Sequence, residues 1–364
     1  MSTTASKTAQ ITPSSEKKSP PVSLPLLLTP TSPGAQSKAS LLDWIGQNKP
    51  WLETQLSQTG AILFRGYALH TALDFEEVAL ALDPKLQAHY YGTSPRLNNT
   101  VYTFSASELP PHYPIMQHCE MSFLKNAPRR IFFFCETPAP EGGETPLTDF
   151  RKVYQQLNPV IRAAFEQKGI RNIRNYFGPR SKGGLAISRK TWDDMFKTTD
   201  REEVARQCRE QDLAHIWPGN DRLTLINEQP AVRIHPQTGE KVWFNHSQVF
   251  HTAAPAIEYA HIAQRQKKLS RKLLRWALAG LVWYRRQFTD TYDQEMHVTF
   301  ADGTEIPKAY IEHLLEVIWK NQVFLEWQHG DLVMLDNFAV AHGRMPFRGP
   351  RNIMVAWTDG VVKP

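Results

Sequence analysis

The stretch RIFFFCE, residues 130–136, is a short β-type run. Six more of the same kind are spread along the chain: AILFRGY (61–67), TVYTFS (100–105), LTLIN (223–227), KVWFN (241–245), DLVML (331–335) and IMVAW (353–357). Gly, Pro, Asn and Asp punctuate these runs, as short strands require. Helical stretches sit between them. In NPVIRAAFEQKG (158–169), Asn158 is placed as a cap, Pro159 at the first helical position and Gly169 at the end. PKAYIEHLLEVIW (307–319) puts Ile311, Leu314, Leu315 and Ile318 on one face. Many short strands without regular strand–helix alternation disfavour a doubly wound parallel sheet. They predict a mainly β protein with helical insertions (α+β), a β-sandwich or jelly roll. Strands near both ends predict a core closed by distant segments.

A chain of 364 residues can bury a large core, and 41% hydrophobic and 11% aromatic content fit a globular protein. The net charge of +6 is modest for this length and does not argue for nucleic acid as a partner. Cys119, Cys135 and Cys208 are an odd, scattered set without CxxC spacing, which points to a reducing compartment and away from a thiolate zinc site. No apolar run approaches a membrane span, and SLPLLLTP (23–30) is too short and proline-flanked for a secretory core. The expected location is the cytoplasm. Residues 1–22, rich in Ser, Thr, Lys and Pro, are expected to form a disordered leader before a single domain at 23–364.

QHCEMSF (117–123) carries a histidine and a glutamate two positions apart. On a strand, such positions share a face with Cα atoms about 6.6 Å apart, so His118 and Glu120 would lean onto one divalent ion while Cys119 points away. A third ligand must come from elsewhere, and the best candidate is His342, at the end of a second β-like run in DNFAVAHGRMPFRGPRNIMVAW (336–357). Two histidines and one carboxylate on one face of an octahedral ion form the facial triad of non-haem Fe(II) oxygenases, with positions open for co-substrate and dioxygen. Among 13 histidines a His-x-Glu coincidence is unsurprising, so the pair alone would also read as an ordinary strand. His246 and His251, five apart, share neither a strand face nor a helix stripe, and His112 lies in a proline-rich turn.

HCEMSF, PRRIFFFCETPAPEGGETPLTDFRKVYQQL and DNFAVAHGRMPFRGPRNIMVA together resemble the TauD/TfdA-type Fe(II)/2-oxoglutarate-dependent dioxygenases, nearest the branch of the syringomycin-type aspartate β-hydroxylases. The resemblance runs from about residue 23 to the C-terminus and includes GAILFRGY, SPR (94–96) and HPQTGEKVWFN (235–245). It implies a double-stranded β-helix, a cupin-like jelly roll, with His118, Glu120 and His342 as iron ligands. Many relatives carry Asp in place of Glu120. Related halogenases have a small residue there that leaves room for chloride, so Glu120 favours hydroxylation; desaturation or cyclisation use the same ligands.

The co-substrate's distal carboxylate needs a cation, and a guanidinium makes the best-fixed pair. The resemblance points to Arg351 for that role, with Arg348 as a solvated loop residue and Arg344 in reserve. Thr145, in GGETPL, matches a family threonine that helps hold the same carboxylate; by pattern alone it is equally a β-branched strand residue. The implied substrate is an amino acid, free or tethered to a peptidyl carrier domain. Arg96, Arg233 and FNHSQ (244–248) could meet a substrate carboxylate, and each also reads as an ordinary surface or core-edge group. The basic stretch RQKKLSRKLLRWALAGLVWYRRQF (265–288) reads as a surface helix within an insertion near 257–288, or as a docking face for an acidic carrier domain or an anionic membrane surface. A non-catalytic metal-binding jelly roll is the competing class of function.

Overall fold

RIFFFCE lies within the strand Arg130–Thr137, and both faces of that strand are buried. Ile131, Phe133 and Cys135 join one apolar cluster and Phe132 and Phe134 another. Burial on both sides explains a run with no polar alternation, because successive side chains point to opposite faces. The computed structural model describes residues 23–90, 96–179, 191–266 and 295–358.

Arg130–Thr137 is a central strand of a six-stranded sheet ordered Leu26–Leu28, Ala61–Phe64, Leu332–Asp336, Arg130–Thr137, Asn352–Trp357, Phe104–Ser105. All its pairings are antiparallel except the first. The outer face is covered by the helices Lys38–Thr59 and Ala72–Leu82, which bury Leu41, Ile45, Phe75 and Val78 against Phe64, Phe132, Phe134 and Met334. Thr71 and Asp74 close the start of the second helix with a reciprocal capping box.

The inner face meets a four-stranded sheet ordered Val323–Leu325, Thr145–Asp149, Val340–Arg344, Ile115–His118. Two antiparallel sheets face to face, closed by strands from both ends of the chain, give the expected double-stranded β-helix. A further antiparallel sheet, ordered Met296–Phe300, Ile170–Tyr176, Arg222–Gln229, Ala214–Gly219, stands beside the site. Tyr176, Leu223 and Leu225 of its two central strands pack on the short helices Trp192–Phe196 and Arg201–Glu210.

Both helices expected from capping and periodicity form. Pro159–Lys168 has the Asn158 side chain accepting from the Val160 amide and Gly169 at φ 62°. Lys308–Asn321 buries Ile311, Leu314, Leu315 and Ile318. One expected strand is corrected. TVYTFS contributes only Phe104–Ser105 to the sheet. The Thr103 amide donates to the Thr100 hydroxyl and the Tyr102 amide to Glu76, so side chains take the backbone groups a ladder would have used. Residues 1–22 and most of 265–288 lie outside the described residues.

Candidate metal centre

His118 ends the strand Ile115–His118, and His342 sits directly opposite it in the register of Val340–Arg344. The two rings are 4.6 Å apart. Next to His342, a Cβ on Gly343 would come 2.5 Å from the Ile115 carbonyl, so only glycine lets the two strands approach at this irregular register. Glu120 is not on a strand, contrary to the side-by-side reading. The chain turns after His118, with Met121 at φ 51°, and the turn returns the carboxylate to the histidines. Glu120 Oε2 lies 3.8 Å from His118 Nε2 and 3.7 Å from His342 Nε2. Ligand atoms of all three residues fall within 4.8 Å of one another.

The turn is held from a distance. The buried Asn337 accepts from the Glu120 amide at 2.6 Å and donates to the Glu120 and Pro128 carbonyls at 2.9 and 2.8 Å. Both backbone groups of the carboxylate residue are thus fixed by one side chain five positions before His342. His118 Nδ1 lies 2.8 Å from the Met116 carbonyl, which makes it the protonated nitrogen and leaves the Nε2 lone pair facing Glu120.

Burial alone would raise the Glu120 pKa, but the charge of Arg96 and the adjacent His118 and His342 imidazoles hold it well below the usual carboxylate range. Arg96 reaches Glu120 Oε2 at 3.0 Å, donates to the Ser105 and Ala106 carbonyls, and lies over the Tyr90 ring. Burial pushes His342 down to about 4. An ionised carboxylate beside a neutral imidazole is the donor state a divalent cation requires.

These residues line a cavity of about 40 Å³ together with Thr145, Arg344 and Arg351. Arg351 precedes the strand Asn352–Trp357, donates through Nε to the Gly143 carbonyl at 3.1 Å, and has no carboxylate partner among the described residues. Burial and the neighbouring Arg344 pull its pKa down to about 9. Thr145 opens its strand and accepts from Trp327 Nε1 at 2.9 Å. Indole nitrogen only donates, so the threonine proton stays available to an acceptor in the cavity. Arg344 spends its terminal nitrogens on the Leu109, Pro110 and Tyr113 carbonyls. Arg348 is exposed beside Glu141.

The structure therefore brings together all five residues singled out from the sequence. It also adds Asn337, which the sequence does not single out, and gives new places to Arg96, read there toward a substrate carboxylate, and to His246, read there as unrelated to another ligand. Asn337 and Arg96 hold Glu120, and His246 lies 5.6 Å ring to ring from His118 with its Nδ1 2.6 Å from the Ser122 hydroxyl. Asn337 stands within the quoted DNFAVAH segment, but its target is more than two hundred residues away in sequence. His246 opens the short helix Ser247–Phe250, where neither strand nor helix spacing relates it to another ligand. Arg233 donates to the Leu124 carbonyl and lies over Phe244.

The set fits a ferrous ion: two imidazoles and one carboxylate converge, their protonation states suit coordination, and an uncompensated guanidinium waits in the same cavity. The family model for the taurine catabolism dioxygenase TauD, TfdA family matches residues 27–357. The chain is 29% identical over 306 residues, 84% of each chain, to the dapdiamide synthesis protein DdaC of Enterobacter agglomerans. It is 27% identical over 316 residues to a clavaminate synthase-like protein of Arabidopsis thaliana, covering 86% of this chain and 85% of the relative. Among solved structures, a taurine dioxygenase from Burkholderia xenovorans aligns with a TM-score of 0.48 and 16% identity, over 87% of this chain and 81% of the other.

Proposed function

The chain belongs to the TauD/TfdA family of Fe(II)/2-oxoglutarate-dependent dioxygenases, and we propose that it hydroxylates an unactivated carbon of a small amino-acid-like substrate in secondary metabolism. The observation that carries this reading is the convergence of His118, Glu120 and His342 in the cavity that also holds Arg351. When bound there, Fe(II) with 2-oxoglutarate and dioxygen supplies the oxidising power for C–H hydroxylation, with succinate and carbon dioxide as co-products.

The protein's own residues hold and orient. His118 Nε2, Glu120 Oε2 and His342 Nε2 present three donors from one side, which leaves the opposite side for ligands. Arg351 and the Thr145 hydroxyl, both lining the cavity, would hold the distal carboxylate of 2-oxoglutarate through charge-assisted hydrogen bonds. Arg96 keeps Glu120 ionised and Asn337 fixes its backbone. Glu120 fills the position that halogenases leave open, which supports hydroxylation over halogenation. The similarity to a protein named for dapdiamide synthesis supports a place in secondary metabolism. Three free, buried cysteines support a reducing compartment such as the cytoplasm.

The test is a screen of amino acids, free and as peptidyl-carrier thioesters, with succinate release and product mass read together. Succinate coupled to a gain of one oxygen is expected. A coupled loss of two hydrogens would replace hydroxylation by desaturation, and halide incorporation would refute the role given to Glu120. No helix of the described residues is long and apolar enough to cross a membrane.

A further inference from the structure

Three residues beyond Glu120, the chain reaches Phe123, whose ring lies under a second buried guanidinium. Arg174 sits 4.3 Å above that ring, 1% exposed, on the strand Ile170–Tyr176 in the middle of the side sheet. Among the described residues, none of its three nitrogens has a hydrogen-bond acceptor. It is not alone in this. Asn172, one step along the same face and fully buried, has neither its amide nitrogen nor its oxygen bonded among the described residues. Asn227, its direct cross-strand partner, donates to the Phe123 carbonyl at 2.9 Å but leaves its own side-chain oxygen without a partner. The buried Tyr176 hydroxyl feels the Arg174 charge yet lies outside hydrogen-bonding geometry.

Burying an unpaired charge is among the costliest choices a fold can make, and buried polar groups without partners are rare. The unpaired guanidinium and the Asn172 amide nitrogen are donors that an incoming anion would satisfy. The place of this cluster is also informative. Phe123 and His246 are 5.0 Å apart, and His246 and His118 5.6 Å, so these two rings span the gap between Arg174 and the metal centre. Arg351 lies apart from this cluster, in the metal cavity with Thr145 and the ligands.

We propose that Arg174, with the Asn172 amide, forms a carboxylate subsite for the substrate, distinct from the 2-oxoglutarate site at Arg351. This rests on the dioxygenase reading and narrows it. The substrate carries a free carboxylate at the end remote from the carbon presented to the metal. An amino acid whose only carboxyl group is consumed in a carrier thioester would leave Arg174 unpaired and is disfavoured.

The test uses acetate as the probe and acetamide as its neutral isostere, at constant ionic strength, with Mn(II) and 2-oxoglutarate saturating to fill the neighbouring anion site. Acetate should raise the melting temperature of the wild-type protein saturably and acetamide should not. In Arg174→Met the half-saturating acetate concentration should rise at least tenfold. Equal acetate responses in both proteins, or none in either, would overturn the subsite. Should Arg174→Met not fold, Arg174→Lys keeps the charge and should retain a weakened response, and the wild-type contrast of acetate with acetamide decides by itself. The visible band of the Fe(II)–2-oxoglutarate chelate, recorded on the same proteins, separates the two claims. A band absent from the wild type sinks the dioxygenase reading whatever acetate does. A band lost only in folded Arg174→Met would move Arg174 into the co-substrate site and overturn the proposal.

Discussion

Asn337 fixes Glu120 more directly than any sequence neighbour does. Three hydrogen bonds from one buried amide hold the turn that aims the carboxylate, and replacing it by alanine leaves an amide and two carbonyls without partners. Leaving such buried groups unmade costs about 1–3 kcal/mol each, and losing an outer support of a metal ligand lowers metal affinity about 10–100-fold. Asn337→Ala should therefore melt lower and bind Zn(II) or Fe(II) more weakly, as read by a competitive metal titration. Unchanged affinity in a folded variant would remove Asn337 from the site. At this scale the ligands themselves were legible: His-x-Glu and a distant histidine mark the donor types a ferrous site needs. Their geometry was not. The pair reads as strand neighbours, whereas a turn with Met121 at positive φ makes the approach. Arg174 was illegible as a functional group, and Arg96 was read toward a substrate carboxylate rather than Glu120, because only burial separates an arginine that answers a carboxylate from one in solvent.

Among the elements, helix Ala254–Gln266 packs on Lys308–Asn321 through a buried acid. Glu258 has one bond there, accepting from Trp319 Nε1 at 2.8 Å, while His261 stacks on the same indole. Burial raises the Glu258 pKa from 4.5 to about 7. A folded pKa above the unfolded one means the protonated form is the one the fold favours. Its stabilisation is complete below about 4.5 and is lost as pH rises through about 7, a swing of about 3 kcal/mol. Glu258→Gln keeps the indole bond and cannot ionise. Denaturant melts of the two proteins should diverge between pH 4.5 and 8, with the variant gaining relative stability as pH rises. Parallel curves would show that Glu258 is not the buried acid it appears in this packing. Elements with a strong local code were readable: Asn158, Pro159 and Gly169 mark a helix by themselves. TVYTFS was not, since the Thr100 and Glu76 side chains outbid the ladder for its amides.

On the scale of the whole molecule, the jelly roll could be read because its sheets are built from both ends of the chain, and the apolar runs RIFFFCE, DLVML and IMVAW are adjacent strands of one layer. The layer is buried on both faces, which is why these runs lack alternation and stand out. The side sheet was harder to foresee. Its strands carry polar residues inward, Asn172 and Arg174 among them, so their pattern does not mark a core. Asn227 and Gln229 of that sheet donate to the Phe123 and Ser122 carbonyls, so the third sheet braces the chain just beyond Glu120.

The central claim is that His118, Glu120 and His342 hold the iron while Arg351 holds 2-oxoglutarate. Anaerobic titration of the metal-free protein with Fe(II) and 2-oxoglutarate, followed by the visible chelate band, tests it most directly. The band should form in the wild type, vanish in His118→Ala, and require at least tenfold more 2-oxoglutarate in Arg351→Ala at unchanged iron content. A folded, iron-loaded wild type without the band, or an Arg351→Ala variant that titrates like the wild type, would contradict the account.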